Sequence, residues 1–498
     1  MTSHRLERTT VRDERPATAI EIRSIDYVPA SERHGHVRDQ GPFWFLGNFQ
    51  FFTIAIAIGF LGPSFGLSLG YSVLAGALGI VFGTFFMAFH ATQGARLGLP
   101  QMIQSRAQFG YRGVVVVLFA SLFTFFAFNV VDTILVDAGL HGIFGWNPTA
   151  VGISITTVAA VLAIYGHDWL HKVFRLLFFV SFPFYVILSL GILTGQAGGH
   201  APIAGGFTLV GFTSMFTANA AYNITYAPYV SDYSRYLPRT TRSTPIVVAV
   251  FLGASLSAIW LIAVGAWLAS RLGATDGLVA LRDAGDNILH GLGSLLAVLS
   301  VLALVATMGL NAYSGMLSAV TGIDSVHSIT PTRGIRVVTI VILSVAWAIV
   351  GIGFGGNFLS ALFSALQYML YLLVPWTAIN LVDYFAVRRG HYAITDLFTP
   401  RGIYGAWGRH GLICYAVGLV SMIPFMVFLA YPAYTGALAA RLGGVDVSIV
   451  VGLMVSGGLY YLLSRSLDLT AEEPAIRASE QLLSDAELTA GSRTPTTV

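Results

Sequence analysis

The run NAAYNITYAP, Asn219 to Pro228, places two asparagines, two tyrosines, a threonine and a proline inside an apolar segment covering about 212–231. At bilayer depth each unsatisfied polar group costs several kcal/mol. Pro228 lacks an N–H and frees the carbonyl one turn earlier, which favours an interrupted helix. Interrupted helices persist at that depth where they line a cavity. A proline kink healed by neighbouring helices is the competing reading, and the density of polar side chains favours the break.

Composition places this segment in a membrane. Of 498 residues, 55% are hydrophobic and 10% charged, too few charges to coat a soluble globule of that size. Runs of about 20 apolar residues recur twelve times, near 42–62, 69–90, 113–136, 149–166, 173–193, 212–231, 244–270, 290–322, 335–353, 357–387, 409–430 and 446–463. The eighth and tenth are long enough to require tilt or continuation past the bilayer. Loops after even-numbered spans hold fourteen Lys and Arg, among them Arg106, Lys172, Arg235, Arg336 and Arg388. The opposite loops hold three, Arg271, Arg282 and Arg441, so the arginine-rich side reads as cytoplasmic and both termini lie there. Residues 1–40, a cytoplasmic tail, show no signal-peptide pattern; 41–464 form the membrane domain, and 465–498 read as a polar, disordered cytoplasmic tail. The location is a cell membrane, plasma or inner.

A second interruption lies in GPFWFLGNFQFFTIAIAIGFLGP, Gly41 to Pro63, where Gly47, Asn48, Gln50 and Thr53 punctuate span one and the break is expected at Gln50–Thr53. In span six it is expected at Tyr222–Tyr226. Spans one and six are five apart, the spacing of an inverted-repeat transporter whose sites sit where half-helices meet. Their partners are spans three and eight. Span three carries Phe125, Phe126 and Asn129 near mid-depth: rings to stack on a flat ligand, and an amide to donate and accept. Plain packing is an equal reading for each phenylalanine. Asp132 lies toward the outer face, where a solvated vestibule carboxylate is favoured over a proton-coupling group. Span eight carries Thr307 and Asn311 on one helical face. Arg235, Arg239 and Arg242 anchor the end of span six.

At this point four motifs, in order, resemble the nucleobase–cation symporters of the purine and cytosine permease type: GLPQMIQSRAQFGYRG (Gly98 to Gly113), APYVSDYSRYLP (Ala227 to Pro238), NAYSGMLS (Asn311 to Ser318) and VPWTAINLVDYFAVRRGHY (Val374 to Tyr392). The resemblance implies an all-α membrane protein of twelve helices, a LeuT-type 5+5 inverted repeat plus two C-terminal helices. It implies alternating access driven by a cation gradient. It implies a base held between Phe125 or Phe126 and an aromatic near the span-six break, where the pocket position falls at Tyr222 or Asn223 and Tyr226 is the next aromatic, with the amides of Gln50 and Asn311 reading its edge; Gln50, Phe125, Asn129, Asn223 and Asn311 are then expected to line one mid-bilayer cavity. Asp232 and Arg235 then close the inner gate. Sodium-coupled relatives gather oxygens on span eight, where this chain offers Thr307 alone in ALVATM (Ala303 to Met308), so protons, with Asp132, are favoured over sodium as the co-transported ion.

Other classes fit less well. The one lysine, Lys172, has no phosphate-loop motif around it, which excludes an ATP-driven pump within this chain. Cys414 is the one cysteine, so no cysteine cluster holds a metal, and no metal, cofactor or nucleic acid is expected. His167 and His171 have metal-ligand spacing, but a solvated loop is favoured. The chain reads as a transporter and not an enzyme; a non-transporting sensor or channel on the same fold is the other class.

Overall fold

A computed structural model describes residues 21, 23–60, 66–203, 205–354, 358–428 and 433–492. A helix, or a pair of half-helices, stands at each of the twelve predicted positions. Eight are single helices long and apolar enough to cross a membrane. These are span two (Leu69–Leu97), three (Val114–Phe144), four (Pro148–Tyr165), five (His167–Leu193), seven (Ser243–Leu272), eight (Leu292–Val326), nine (Arg333–Ile352) and ten (Phe358–Val382), the last continued by a π-helical turn, Asp383–Val387. Span eleven is the shorter Arg409–Met422 and span twelve is Ser448–Ser464. Spans one and six are the interrupted ones.

Span one divides into Val37–Asn48 and Phe51–Phe60, and the two halves meet at 47°. Span six divides into Leu209–Ile224 and Ala227–Ser234. Both breaks fall at or beside the expected windows. The local chemistry accounts for them. Gln50 Oε1 accepts the Phe52 N–H (2.6 Å) and the Thr53 hydroxyl donates to the Asn48 carbonyl (2.9 Å), so side chains satisfy backbone groups that the first break releases. In span six, Pro228 occupies the first turn of the second half, where its missing N–H costs nothing.

The helices pack as two groups related by the five-span offset. Spans one, two, six and seven pack on one another, and spans three, four, eight and nine form the other group. Between spans two and six the backbones touch. A Cβ at Gly79 would collide with the Phe216 carbonyl oxygen, one at Gly83 with that of Ala220, and one at Gly94 with that of Ser231. Glycine is required here by close approach. Gly83→Val is expected to force the two backbones apart at an overpacking cost of about 1–3 kcal/mol, seen as a lowered unfolding midpoint of the purified protein.

Three expectations are corrected. The segment after Arg465 is not disordered: Leu469–Ser492 is a helix, because Glu472 pairs with Arg388 (2.9 Å) and Glu480 with Arg239 (2.7 Å). His167 and His171 do not lie in a solvated loop. They open span five, and the His171 ring stacks on Phe43 with centroids 4.1 Å apart. Asp132 is not a solvated vestibule carboxylate; it is 2% exposed, enclosed where span three faces the other helix group.

Candidate functional site

The two breaks meet side by side. Asn48 Nδ2 donates to Asn223 Oδ1 (2.9 Å), and Asn223 Nδ2 donates to the Thr84 hydroxyl of span two (2.6 Å). Asn223 thus holds the breaks in register. Gln50 Nε2 donates to the Tyr222 hydroxyl (2.8 Å), and Tyr226 donates its hydroxyl to the Gly47 carbonyl (2.9 Å). Gln50, Tyr222, Asn223 and Tyr226 are all buried.

Across the interface, span three presents Phe125 and Phe128 to these rings. Phe125 meets Tyr229 edge-on at 4.9 Å, and Phe128 lies 5.4 Å from Phe52 and 6.4 Å from Tyr226. Phe126 is half-buried and turned toward span nine; with Phe125, Asn311, Leu343 and Trp347 it lines a gap of about 10 Å³. Gln50, Asn129 and Asn223 do not share that gap. Asn129 donates to the Met308 carbonyl (3.1 Å) and accepts from Asn311 Nδ2 (3.0 Å). Thr307 donates to the Ala303 carbonyl of its own helix (3.2 Å).

The buried polar atoms in this region with no hydrogen-bond partner among the described residues include Asn48 Oδ1, Asn311 Oδ1, the Tyr229 hydroxyl and Asp132 Oδ1. Asp132 lies within electrostatic range of Tyr222, Tyr226 and Tyr229. Buried polar atoms are nearly always paired, so these atoms are candidates for contact with a polar ligand. The sequence reading named Asn48 only as a residue of the span-one break and missed Phe52, Phe128 and Tyr229. Tyr229 was legible as the next aromatic turn after Tyr226.

The arginine-rich end of the interface is sealed. Asp232 accepts the Gln101 N–H from the loop after span two (2.9 Å), and Tyr233 donates to the Leu310 carbonyl of span eight (2.9 Å). Arg235 is fully buried, so it is no simple surface anchor; it donates to the Ser24 carbonyl (2.6 Å) and the Tyr313 hydroxyl (2.8 Å). The centre of this closure is Glu21, which no sequence signal marked. Its carboxylate accepts from Tyr236, from Tyr313 (2.9 Å) and from the His167 N–H (3.0 Å), and contacts Arg336 (3.1 Å) and Arg235 (3.4 Å). Burial alone would raise its pKa, but Arg336, and after it Arg235, hold the carboxyl below the usual carboxylate value. Glu21 therefore ties span six of one helix group to spans eight and nine of the other.

Two helix groups meeting at a pair of broken spans, with buried polar atoms between them, define a secondary transporter of the inverted-repeat class. A family model described as permease for cytosine/purines, uracil, thiamine, allantoin matches residues 27–452. The chain belongs to this family and is a membrane transporter, not an enzyme. It is 32% identical over 449 residues to YxlA of Bacillus subtilis (strain 168), whose name assigns it to the purine-cytosine permeases; the match covers 90% of this chain and 96% of that one. The purine-cytosine permease fcyB of Emericella nidulans is 25% identical, with 89% and 88% covered. The solved structure of Mhp1, a nucleobase-cation-symport-1 family transporter in a closed conformation with bromovinylhydantoin bound, superposes with a TM-score of 0.68 at 18% identity, covering 93% of this chain and 98% of that one. The LeuT-type fold expected from the sequence is the fold observed.

Proposed function

We propose that the chain imports a neutral, planar nucleobase-like heterocycle across the cell membrane by proton symport with alternating access. Both termini face the cytoplasm in this reading. The observation that carries it is the concentration of unpartnered buried atoms, Asn311 Oδ1, Tyr229 hydroxyl and Asp132 Oδ1, among the rings of Phe125, Phe128, Tyr222 and Tyr226. A flat ring slides between Phe125 or Phe128 and the span-six tyrosines, where stacking is worth about 0.5–1.5 kcal/mol per ring pair. Asn311 and Asn129 exchange their mutual hydrogen bond for the edge of the base, and Gln50 reads it from the span-one break. Asp132 takes up the proton, and Thr307 keeps its hydroxyl on its own helix.

None of these residues is a lysine or arginine, so charged ligands have no counter-ion in the site. Purines, cytosine and uracil should compete for uptake of a labelled base, whereas AMP should not; tight binding of AMP would overturn the substrate class. Uptake that collapses when choline replaces sodium at constant pH would move the coupling to sodium. Labelled base that binds but never accumulates in sealed vesicles would make the protein a sensor.

Inward release requires the seal around Glu21 to part. Glu21→Gln keeps the tyrosine hydrogen bonds but leaves Arg235 and Arg336 without their carboxylate. Discounted for the 12% exposure of the Glu21 side chain, the loss is about 1–2 kcal/mol, a shift of roughly 5–30-fold toward the inward-open form. Thiol labelling of Leu317→Cys, a buried span-eight position outside the Glu21 hydrogen bonds, from the cytoplasmic side, with and without Glu21→Gln, reads this shift. Because the Glu21 pKa is lowered, its contribution is complete above the unfolded carboxylate value and is lost only as pH falls through the depressed one. The contribution of Glu21 to the seal is therefore constant near neutrality.

A further inference from the structure

Away from the site, spans ten and twelve and the C-terminal helix frame a cavity of about 660 Å³ at the arginine-rich end. The chain turns by 92° between Ser448–Ser464 and Leu469–Leu488. With span twelve upright, the C-terminal helix lies along the plane of the membrane surface and roofs this cavity.

The charges lining the cavity do not cancel locally. Four arginines (388, 389, 465 and 477) face three glutamates (472, 473 and 480). Each glutamate is already engaged: Glu472 by Nη2 and Nε of Arg388 (2.9 and 3.1 Å), Glu473 by Arg477 (2.7 Å), and Glu480 by Arg239 from outside the cavity (2.7 Å). Arg388 is further committed to Asp383 at 2.6 Å. Arg389 and Arg465 are left. Both are exposed, and neither guanidinium has a hydrogen bond or ion pair among the described residues.

Arg389 also has a backbone φ of 52°, the one non-glycine residue at positive φ among the described residues. A side chain in that region is strained, and a persistent outlier of this kind is a pointer to function. Part of the cavity wall is apolar: Tyr461, 46% exposed at the end of span twelve, stands there with Leu467 and Leu469, and the neighbouring Leu462 on span twelve is 55% exposed. Paired cationic groups directly above apolar helix surface match a molecule with a charged head and acyl tails, not a soluble anion. Tyrosine at this level is an interfacial residue.

We propose that this cavity binds the phosphodiester headgroup of an anionic phospholipid, held by Arg389 and Arg465, with its acyl chains against Tyr461 and Leu462. Basic pockets between helices at the cytoplasmic side take such headgroups, each arginine near the anionic surface contributing about 1 kcal/mol. The pair is then expected to change lipid affinity by about 30-fold.

The test uses the full-length protein in neutral detergent, with the unfolding midpoint followed during titration with phosphatidylglycerol, phosphatidylcholine or inorganic phosphate. Phosphatidylglycerol should raise the midpoint saturably, and phosphatidylcholine and phosphate should not. R389Q/R465Q should need about 30-fold more phosphatidylglycerol for the same shift. R112Q/R401Q, which removes two exposed arginines from the same end outside the cavity, should titrate like the parent. R389G should raise the lipid-free midpoint by relieving the backbone while losing lipid affinity, which separates binding from folding. The proposal is overturned if phosphatidylcholine acts as well as phosphatidylglycerol, or if phosphate alone reproduces the shift. It is equally overturned if R389Q/R465Q titrates like the parent, or if R112Q/R401Q loses as much affinity as the cavity variant.

Discussion

Asp132→Asn is expected to abolish proton-driven accumulation while leaving substrate binding intact. Asp132 is 2% exposed, its Oδ1 has no hydrogen-bond partner among the described residues, and it follows Asn129 by three residues on the same helical face. A carboxylate at such depth must be paired or protonated. Its neighbours are the neutral hydroxyls of Tyr222, Tyr226 and Tyr229, which do not neutralise it. In the proposed mechanism the proton is the counter-charge, and its arrival and departure would couple ion to substrate. Asparagine imitates the protonated form permanently. In the parent, acidifying the outside should raise uptake, and ion and substrate should strengthen each other's binding by a factor of roughly 5–150. In the variant the uptake curve should be flat with pH, with exchange of labelled for unlabelled base retained. A variant that keeps the parent's pH response would remove Asp132 from the coupling.

The second large effect is expected at Asn311. Asn311→Ala removes the unpartnered Oδ1, and it also strands Asn129 Oδ1, which accepts from Asn311 Nδ2 at 3.0 Å. Leaving a buried acceptor unpaired and deleting one ligand contact together cost about 2–3 kcal/mol, or roughly 30–150-fold in the efficiency of uptake. The loss should fall mainly on the half-saturating concentration, because the contact is made in the bound complex. Asn311→Ser should recover part of it. A parent-like half-saturating concentration in Asn311→Ala would place the base elsewhere. Phe126, turned toward Leu343 and Trp347, is the internal comparison: Phe126→Leu should change uptake far less than Phe125→Leu.

How much of this could be read beforehand depended on whether a residue's role is local. The two breaks were legible because proline, asparagine and glutamine disturb a helix wherever they sit, and the breaks lie within a residue or two of where that chemistry put them. Asn129 and Asn311, both expected to face a ligand, stand next to each other and share a hydrogen bond. Roles that depend on partners far along the chain were not legible. Asn223 looked like a ligand-reading amide, but its two bonds go to Asn48 and Thr84. Glu21 is an ordinary acid in a polar tail until Arg235 and Arg336 are brought to it from more than two hundred residues away. The C-terminal helix was hidden for the same reason: its polar composition reads as solvated until Arg388 and Arg239 supply the opposing charges.

The glycine contacts between spans two and six reach past the span-six break. Gly79 and Gly83 press on Phe216 and Ala220 in the first half, and Gly94 on Ser231 in the second. Span two is therefore a splint laid across the fracture, and the two halves of span six cannot swing about Thr225–Tyr226 without tearing one of these seams. Pairs of spin labels should report this directly. Distances between span two and either half of span six should stay fixed through the transport cycle, while distances from span six to span eight lengthen and shorten.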